Sequence, residues 1–194
     1  MGEANDALPV MSQEAVLRHF SSSRVMEHQS FRALCNSLKA LGIATAVKAL
    51  REVRKGRMTV LDLGCGKGGD VGKWMAHRPK KLLGLDGSEP CIIEARARHT
   101  ALVSNGRGSM DAVFHVMNLC APEPVLPVEA ETVDIAASHF FMQFTASDPT
   151  IFRGMISECA RVLALGGVFW CLVPDGDRVL SLLQSGQILL GSEP

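Results

Sequence analysis

What the chain lacks narrows its class before any motif is read. Its six cysteines, at 35, 65, 91, 120, 159 and 171, form no Cys-x-x-Cys pair. That scatter argues against a zinc site, and such thiols are expected to stay reduced in the cytosol or nucleus. No apolar run reaches the ~18 residues that a membrane span needs. The N-terminus, Met1-Gly2-Glu3-Ala4-Asn5-Asp6, is acidic and has no basic stretch followed by an apolar one, so no signal peptide is expected. There is no net charge, with 20 Lys and Arg against 20 Asp and Glu. The balance hides a division: residues 1–110 hold 17 basic and 10 acidic side chains, and residues 111–194 hold 3 and 10. A basic half can hold a phosphate-rich substrate, although a solvated surface has the same counts. With 194 residues, 47% of them hydrophobic, the chain suits one globular domain with a sizeable core.

What is present is organised around one stretch. Val60-Leu61-Asp62-Leu63-Gly64-Cys65-Gly66-Lys67-Gly68-Gly69-Asp70 passes from an apolar run through an acid into a glycine-rich turn and a helix start. A strand delivered to such a turn must bend sharply and stay bare, and glycines permit both because they lack a Cβ and tolerate positive φ. The spacing Gly64-x-Gly66-x-x-Gly69 is that of a dinucleotide-binding turn, and alone it suits NAD, FAD or S-adenosylmethionine. Asp62 separates these. A carboxylate at the strand end repels a pyrophosphate held in the turn and attracts the ammonium of a methionine moiety. Asp70 repeats the argument at the helix start, where an anion suits the dipole. Asp86 ends the next apolar run 20 residues after Gly66, a distance suited to ribose hydroxyls. The pocket is therefore read as one for S-adenosylmethionine.

The remaining pattern alternates strands with helices. Residues 1–11 read as a leader and 12–23 as a short helix, so that 1–29 precede the main domain at 30–194. Residues 30–55 read as an amphipathic helix with Phe31, Leu34, Leu38, Leu41, Val47, Leu50 and Val53 along its apolar stripe and Lys39 beside it. Strands are expected at 58–63, 81–85, 112–117, 132–138 and 168–173. Between them come a helix from Asp70 to His77, one capped by Ser88 with Pro90 in its first turn, and one capped by Asp148-Pro149 running to about Leu165. Gly166-Gly167 is read as the turn into the last strand, and a short helix and an apolar tail follow it. This order implies an α/β fold with a doubly wound, mainly parallel sheet. Ligands in such sheets bind beyond the C-terminal strand ends, here Asp62, Asp86, Asn118, Ser138-His139 and Pro174-Asp175. Asn118 can meet an adenine edge or serve as a plain cap.

The run from Asp62 through Asp70 to Lys73-Trp74 resembles the signature of mRNA cap guanine-N7 methyltransferases, with similarity from about Phe31 to Leu183. Other S-adenosylmethionine-dependent enzymes of the same fold class share Asp-x-Gly-x-Gly, but the continuation through Lys67, Asp70, Lys73 and Trp74 is more specific. The resemblance implies a Rossmann-like fold, S-adenosylmethionine as cofactor, a capped RNA 5′ end as substrate, a nuclear or cytoplasmic setting and a protein partner of the capping apparatus. It implies that Lys39, Gly64 and Asp86 bind the cofactor, with Asn118 and His139 standing where the family has Asp and Gln. It assigns Asn36, Lys67, Lys73 and Arg98 to the cap, with Gln143 and Phe144 where the family has a His-Tyr pair beside guanine. The family continues into antiparallel strands with an acid that reads guanine, so the sequence is expected to be short at its C-terminus.

Guanine N7 has a lone pair and no proton to lose, so no catalytic acid, base or nucleophile is expected, and no metal. Three other readings stay open. One is a methyltransferase for another substrate, such as a small metabolite. The second is a non-catalytic or fragmentary module of the same fold. An NAD enzyme is the third, disfavoured by Asp62.

Overall fold

A computed structural model describes residues 29–185. The expected leader at 1–11, the helix at 12–23 and the apolar tail beyond 185 lie outside the described residues. The elements in order are α1 (Gln29–Val53), β1 (Thr59–Leu63), α2 (Val71–Ala76), β2 (Lys81–Asp86), α3 (Glu89–Ser104), β3 (Asp111–Val116), β4 (Val133–His139), α4 (Pro149–Val162), β5 (Leu163–Leu172) and α5 (Gly176–Gln184). One 3-10 turn, Met142–Phe144, stands between β4 and α4. The five strands form a single sheet in the order β3-β2-β1-β4-β5, every pair parallel.

Strand alternation explains the layers. In β1, Val60 and Asp62 face one side and Leu61 and Leu63 the other. Val60 joins Leu82, Ile135, Ala137 and Trp74 under α1, α2 and α3. Leu61 and Leu63 join Leu83, Leu85, Met155, Cys159 and Val162 under α4. Both faces are covered, as a parallel sheet requires. The capping expectations hold: the Ser88 hydroxyl accepts from the Cys91 amide and Asp148 accepts from the Thr150 amide, with proline in the first turn of each helix.

Two expectations are corrected. The helix before β5 ends at Val162, and Gly166-Gly167 lies inside β5. Val133 pairs with Leu163 but Ile135 pairs with Val168, so extra residues bulge out of the ladder there. Gly166 takes φ +77, which only glycine adopts easily. Secondly, α1 does not bury its whole apolar stripe. Ile43, Ala46, Val47 and Leu50 are core, whereas Phe31, Leu34, Leu38, Leu41 and Val53 are exposed. The helix is about 37 Å long at 1.5 Å per residue and β1 only about 17 Å. Its first turns therefore overhang the strand ends, where the candidate site lies. By length and composition Phe31–Val53 could cross a membrane, but its inner face is packed on this sheet.

Candidate functional site

The site is built at the C-terminal ends of β1, β2 and β4, where the strand order reverses direction between β1 and β4. Asp62 pairs in register with Ala137, so His139 is the next side chain along the same face of β4. The overhang of α1 and the start of α2 close over them. The result is a cluster on one carboxylate, Asp70. Its Oδ2 receives Lys39 Nζ at 3.0 Å and its Oδ1 receives Lys73 Nζ at 2.7 Å. His139 Nδ1 lies 3.3 Å from Oδ2, at ion-pair distance but outside hydrogen-bond geometry. Lys73 Nζ also donates to Asn36 Oδ1 at 3.1 Å and to the Gly69 carbonyl. Burial alone would raise the Asp70 pKa, but contact with His139, Lys39 and Lys73 outweighs it and holds the carboxyl below the usual carboxylate range.

Asp62 has the opposite fate. It is 3% exposed, and burial pushes its pKa up to about 7, reinforced by Asp70 and opposed by His139 and Lys39. The Trp74 indole N–H lies beside it, outside hydrogen-bond geometry. His139 is also buried, lies roughly parallel to the Trp74 ring at 6.3 Å, and has both ring nitrogens without a hydrogen-bond partner.

The glycine turn forms the second part. Gly64 and Cys65 both donate to the Leu85 carbonyl, which folds the turn back over β2. Gly64 (φ +70) is covered, since a Cβ there would overlap the Phe141 side chain. Gly66 (φ +51) is the open one, where a Cβ would meet nothing within 4 Å. Its amide donates to Asp86 Oδ2 at 2.8 Å, and the Ser88 amide donates to Oδ1 at 2.9 Å. Burial raises the Asp86 pKa against these two hydrogen bonds.

Two further groups flank the turn. Lys67 Nζ and Arg98 Nη2 meet the two oxygens of Glu94, at 3.2 Å and 3.3 Å. Beyond β4, Phe140 sits at φ +61, its amide bonded to the Leu172 carbonyl and its own carbonyl accepting from Gln143 Nε2 at 2.7 Å. Gln143 Oε1 is buried without a partner. Phe144 packs at a tilt on Phe141, and Lys39 Nζ lies 5.9 Å from the Phe140 ring centre.

The structure thus brings Asn36, Lys39, Asp62, Lys73 and His139 into one cluster, joins Gly66 to Asp86, and joins Lys67 to Arg98. Asn118 belongs to none of these; it is exposed and its Oδ1 accepts from the Cys120 amide as a local cap. Asp70 was read in the sequence only as an acid at the helix start, not as the hub, and Glu94, the bridge, was not among the candidate residues. Their spacings to Lys73 and Arg98, three and four residues on helices, were the available signal.

The donor set fits S-adenosylmethionine: a bare glycine cradle at Gly66, an acid at the end of β2, and orphaned ring nitrogens on His139. The strand order, with the site at its reversal, defines a Rossmann-like α/β fold. A solved S-adenosylmethionine-dependent methyltransferase from Clostridium acetobutylicum superposes with a TM-score of 0.52 at 16% identity, over 68% of this chain and 48% of that one. The sequence profile of the mRNA (guanine-N(7))-methyltransferase domain matches residues 11–189, and the chain belongs to that family. It is 48% identical over 153 residues to the mRNA cap guanine-N(7) methyltransferase of Aspergillus clavatus, covering 63% of this chain and 28% of that protein. With the Caenorhabditis briggsae enzyme of the same name it shares 27% identity over 185 residues, 91% of this chain and 49% of the relative. The chain thus spans half or less of these relatives. A methyl donor of the S-adenosylmethionine type follows from the family.

Proposed function

We propose that this chain transfers a methyl group from S-adenosylmethionine to N7 of the guanosine cap of mRNA, in the nucleus and beside a protein partner of the capping apparatus. The supporting observation is two sets of cations beside an acid-lined turn: Lys67 and Arg98 on Glu94, and Lys73 between Asp70 and Asn36. S-adenosylmethionine carries no phosphate for them to neutralise, whereas the triphosphate bridge of a cap does. The Glu94 pairs are partly exposed, and pairs of that kind contribute at most about 1 kcal/mol. A phosphate can take both cations at little cost.

In this reading the methyltransferase domain is 30–194. Lys39, Asp62, Gly64, Gly66, Asp86, Asn118 and His139 serve the cofactor. Asn36, Lys67, Lys73, Arg98, Gln143 and Phe144 serve the cap. Each Asp86 oxygen accepts one backbone N–H and keeps a lone pair for a ribose hydroxyl. Gln143 Oε1 is free to accept a guanine N–H. Stacking of the base on Phe144 would contribute about 1–3 kcal/mol. The bound cofactor supplies an electrophilic methyl on a sulfonium. No residue has to take a proton, so the chain acts by alignment, which can supply about 7–11 kcal/mol.

The test is transfer of labelled methyl to RNA with an unmethylated guanosine cap, with uncapped and already methylated RNA as controls. Label on the unmethylated cap alone supports the proposal. Label on a small amine or nucleotide instead points to another substrate, and cofactor binding without transfer to a non-catalytic module. Asp86→Ala is expected to weaken cofactor binding and Lys67→Ala capped-RNA binding. Equal loss of both ligands in both variants would count against the division of roles.

A further inference from the structure

A second basic site lies at the other end of the sheet, where the chain enters β1 and β2. A cavity of about 220 Å³ is lined there by Arg51, Arg57, Arg78, His77 and Gly56, with no acidic residue in its wall. Three arginines line one small space. Among the described residues none of the three forms an ion pair, whereas Arg54, Arg98 and Arg161 each pair with a carboxylate. Glu52 adjoins Arg51 in sequence but is exposed and outside the lining.

Local structure holds these groups in place. Arg57 is fixed by donating to the Arg78 and Pro79 carbonyls, from Nε at 3.4 Å and from Nη2 at 2.8 Å. Arg51 Nη2 donates to the His77 carbonyl at 3.3 Å. Arg78 is held at φ +54, a left-handed conformation that costs a non-glycine residue of order 1 kcal/mol. Gly56 (φ +103) faces space where even a Cβ would touch nothing. After these bonds Arg51 and Arg57 each keep further N–H donors, and guanidinium donors suit phosphate oxygens. Burial, and after it the Arg51 charge, lower the His77 pKa.

We propose that this cavity is a phosphate-binding site separate from the methyl-transfer site. Its phosphates come from an RNA chain that runs on from the cap, a source that rests on the substrate reading above, or from free inorganic phosphate. Position favours the first. α1 carries Asn36 and Lys39 at the methyl-transfer end and Arg51 at the cavity end. Asn36 and Arg51 are fifteen residues apart in one helix, so about 22 Å along it. α2 carries Lys73 toward the first site and ends at His77 beside the second.

The experiment uses the full chain with Arg51→Glu and Arg78→Glu, leaving Arg57 to close its turn. Binding of a labelled uncapped oligoribonucleotide is read by anisotropy over a salt series. The His77 ring resonances are followed by NMR on adding inorganic pyrophosphate. The expected result is RNA binding weakened about tenfold, a salt slope smaller by about 0.7 for each arginine replaced, and loss of the pyrophosphate shift at His77. Arg51→Lys with Arg78→Lys should retain most of the binding, which separates lost charge from lost fold. A pyrophosphate shift with unchanged RNA binding would assign the site to free phosphate and overturn the RNA source. No response in either arm, or a polyglutamate peptide binding where RNA does not, would overturn the phosphate site. Methyl transfer to a cap dinucleotide, too short to reach the cavity, should be unchanged in both variants. Its absence in every form of the protein would count against the cap reading alone.

Discussion

Asp62 and Asp70 are eight residues apart and titrate in opposite directions. An unfolded chain releases the Asp62 proton near pH 3.8, whereas the folded chain holds it to about pH 7. Between those values the folded state binds more protons, so rising pH lowers stability. Asp70 is depressed in the fold, and its contribution is present above its unfolded pKa and lost as pH falls below it. We expect Asp62→Asn to be more stable than the parent at about pH 8 by as much as a few kcal/mol, the gain shrinking toward about pH 4. Urea midpoints across that range measure it, and a gain independent of pH would refute the assignment. The two glycines differ in the same testable way. Gly66→Ala meets only backbone strain and should cost about 1–2 kcal/mol of stability. Gly64→Ala adds overlap with Phe141 and should cost about 3 kcal/mol or more, read from thermal melts. The candidate acids and glycines were legible because motif spacing reports them. The role of Asp70 as hub was not, since its partners Lys39 and His139 come from distant segments and only the fold unites them.

The strands could be read from apolar runs ending in polar residues, and the caps of α3 and α4 from Ser88-x-Pro90 and Asp148-Pro149. The end of α4 could not. Leu163-Ala164-Leu165 continues a helix-compatible pattern, and only pairing with Val133 makes it strand. The segment before β4, with its prolines and no periodicity, reads as a connector but hides how it is held. Arg161 donates to the Leu126 and Val128 carbonyls and to both oxygens of Glu158, while Glu158 accepts the Leu126 amide. A lysine cannot reproduce that fork. Arg161→Lys is expected to cost about 1–2 kcal/mol and to speed amide exchange around Leu126 before it affects the sheet. Unchanged exchange there would show that the connector is held by its apolar contacts instead.

At the scale of the molecule, β5 has a neighbour only on its β4 side among the described residues. Leu165 on it is 93% exposed. Open strand edges with apolar side chains invite pairing between chains. Leu165→Lys should reduce concentration-dependent self-association in sedimentation while leaving the melting temperature nearly unchanged. One face of β5 is tied to α1 and to the residue after it. Trp170 fills the space beside Gly42, and Arg54 donates to the Leu165 carbonyl across a separation of 111 residues. That tie has a consequence during synthesis. At about 5–20 residues per second, roughly 6–22 s pass between the emergence of Arg54 and of Leu165 from the ribosome. Through that interval Ile43, Val47 and Leu50 lack the β5 surface they help to cover. The nascent chain is then a client for cellular holdases, and slowing translation downstream of α1 should lower its soluble yield.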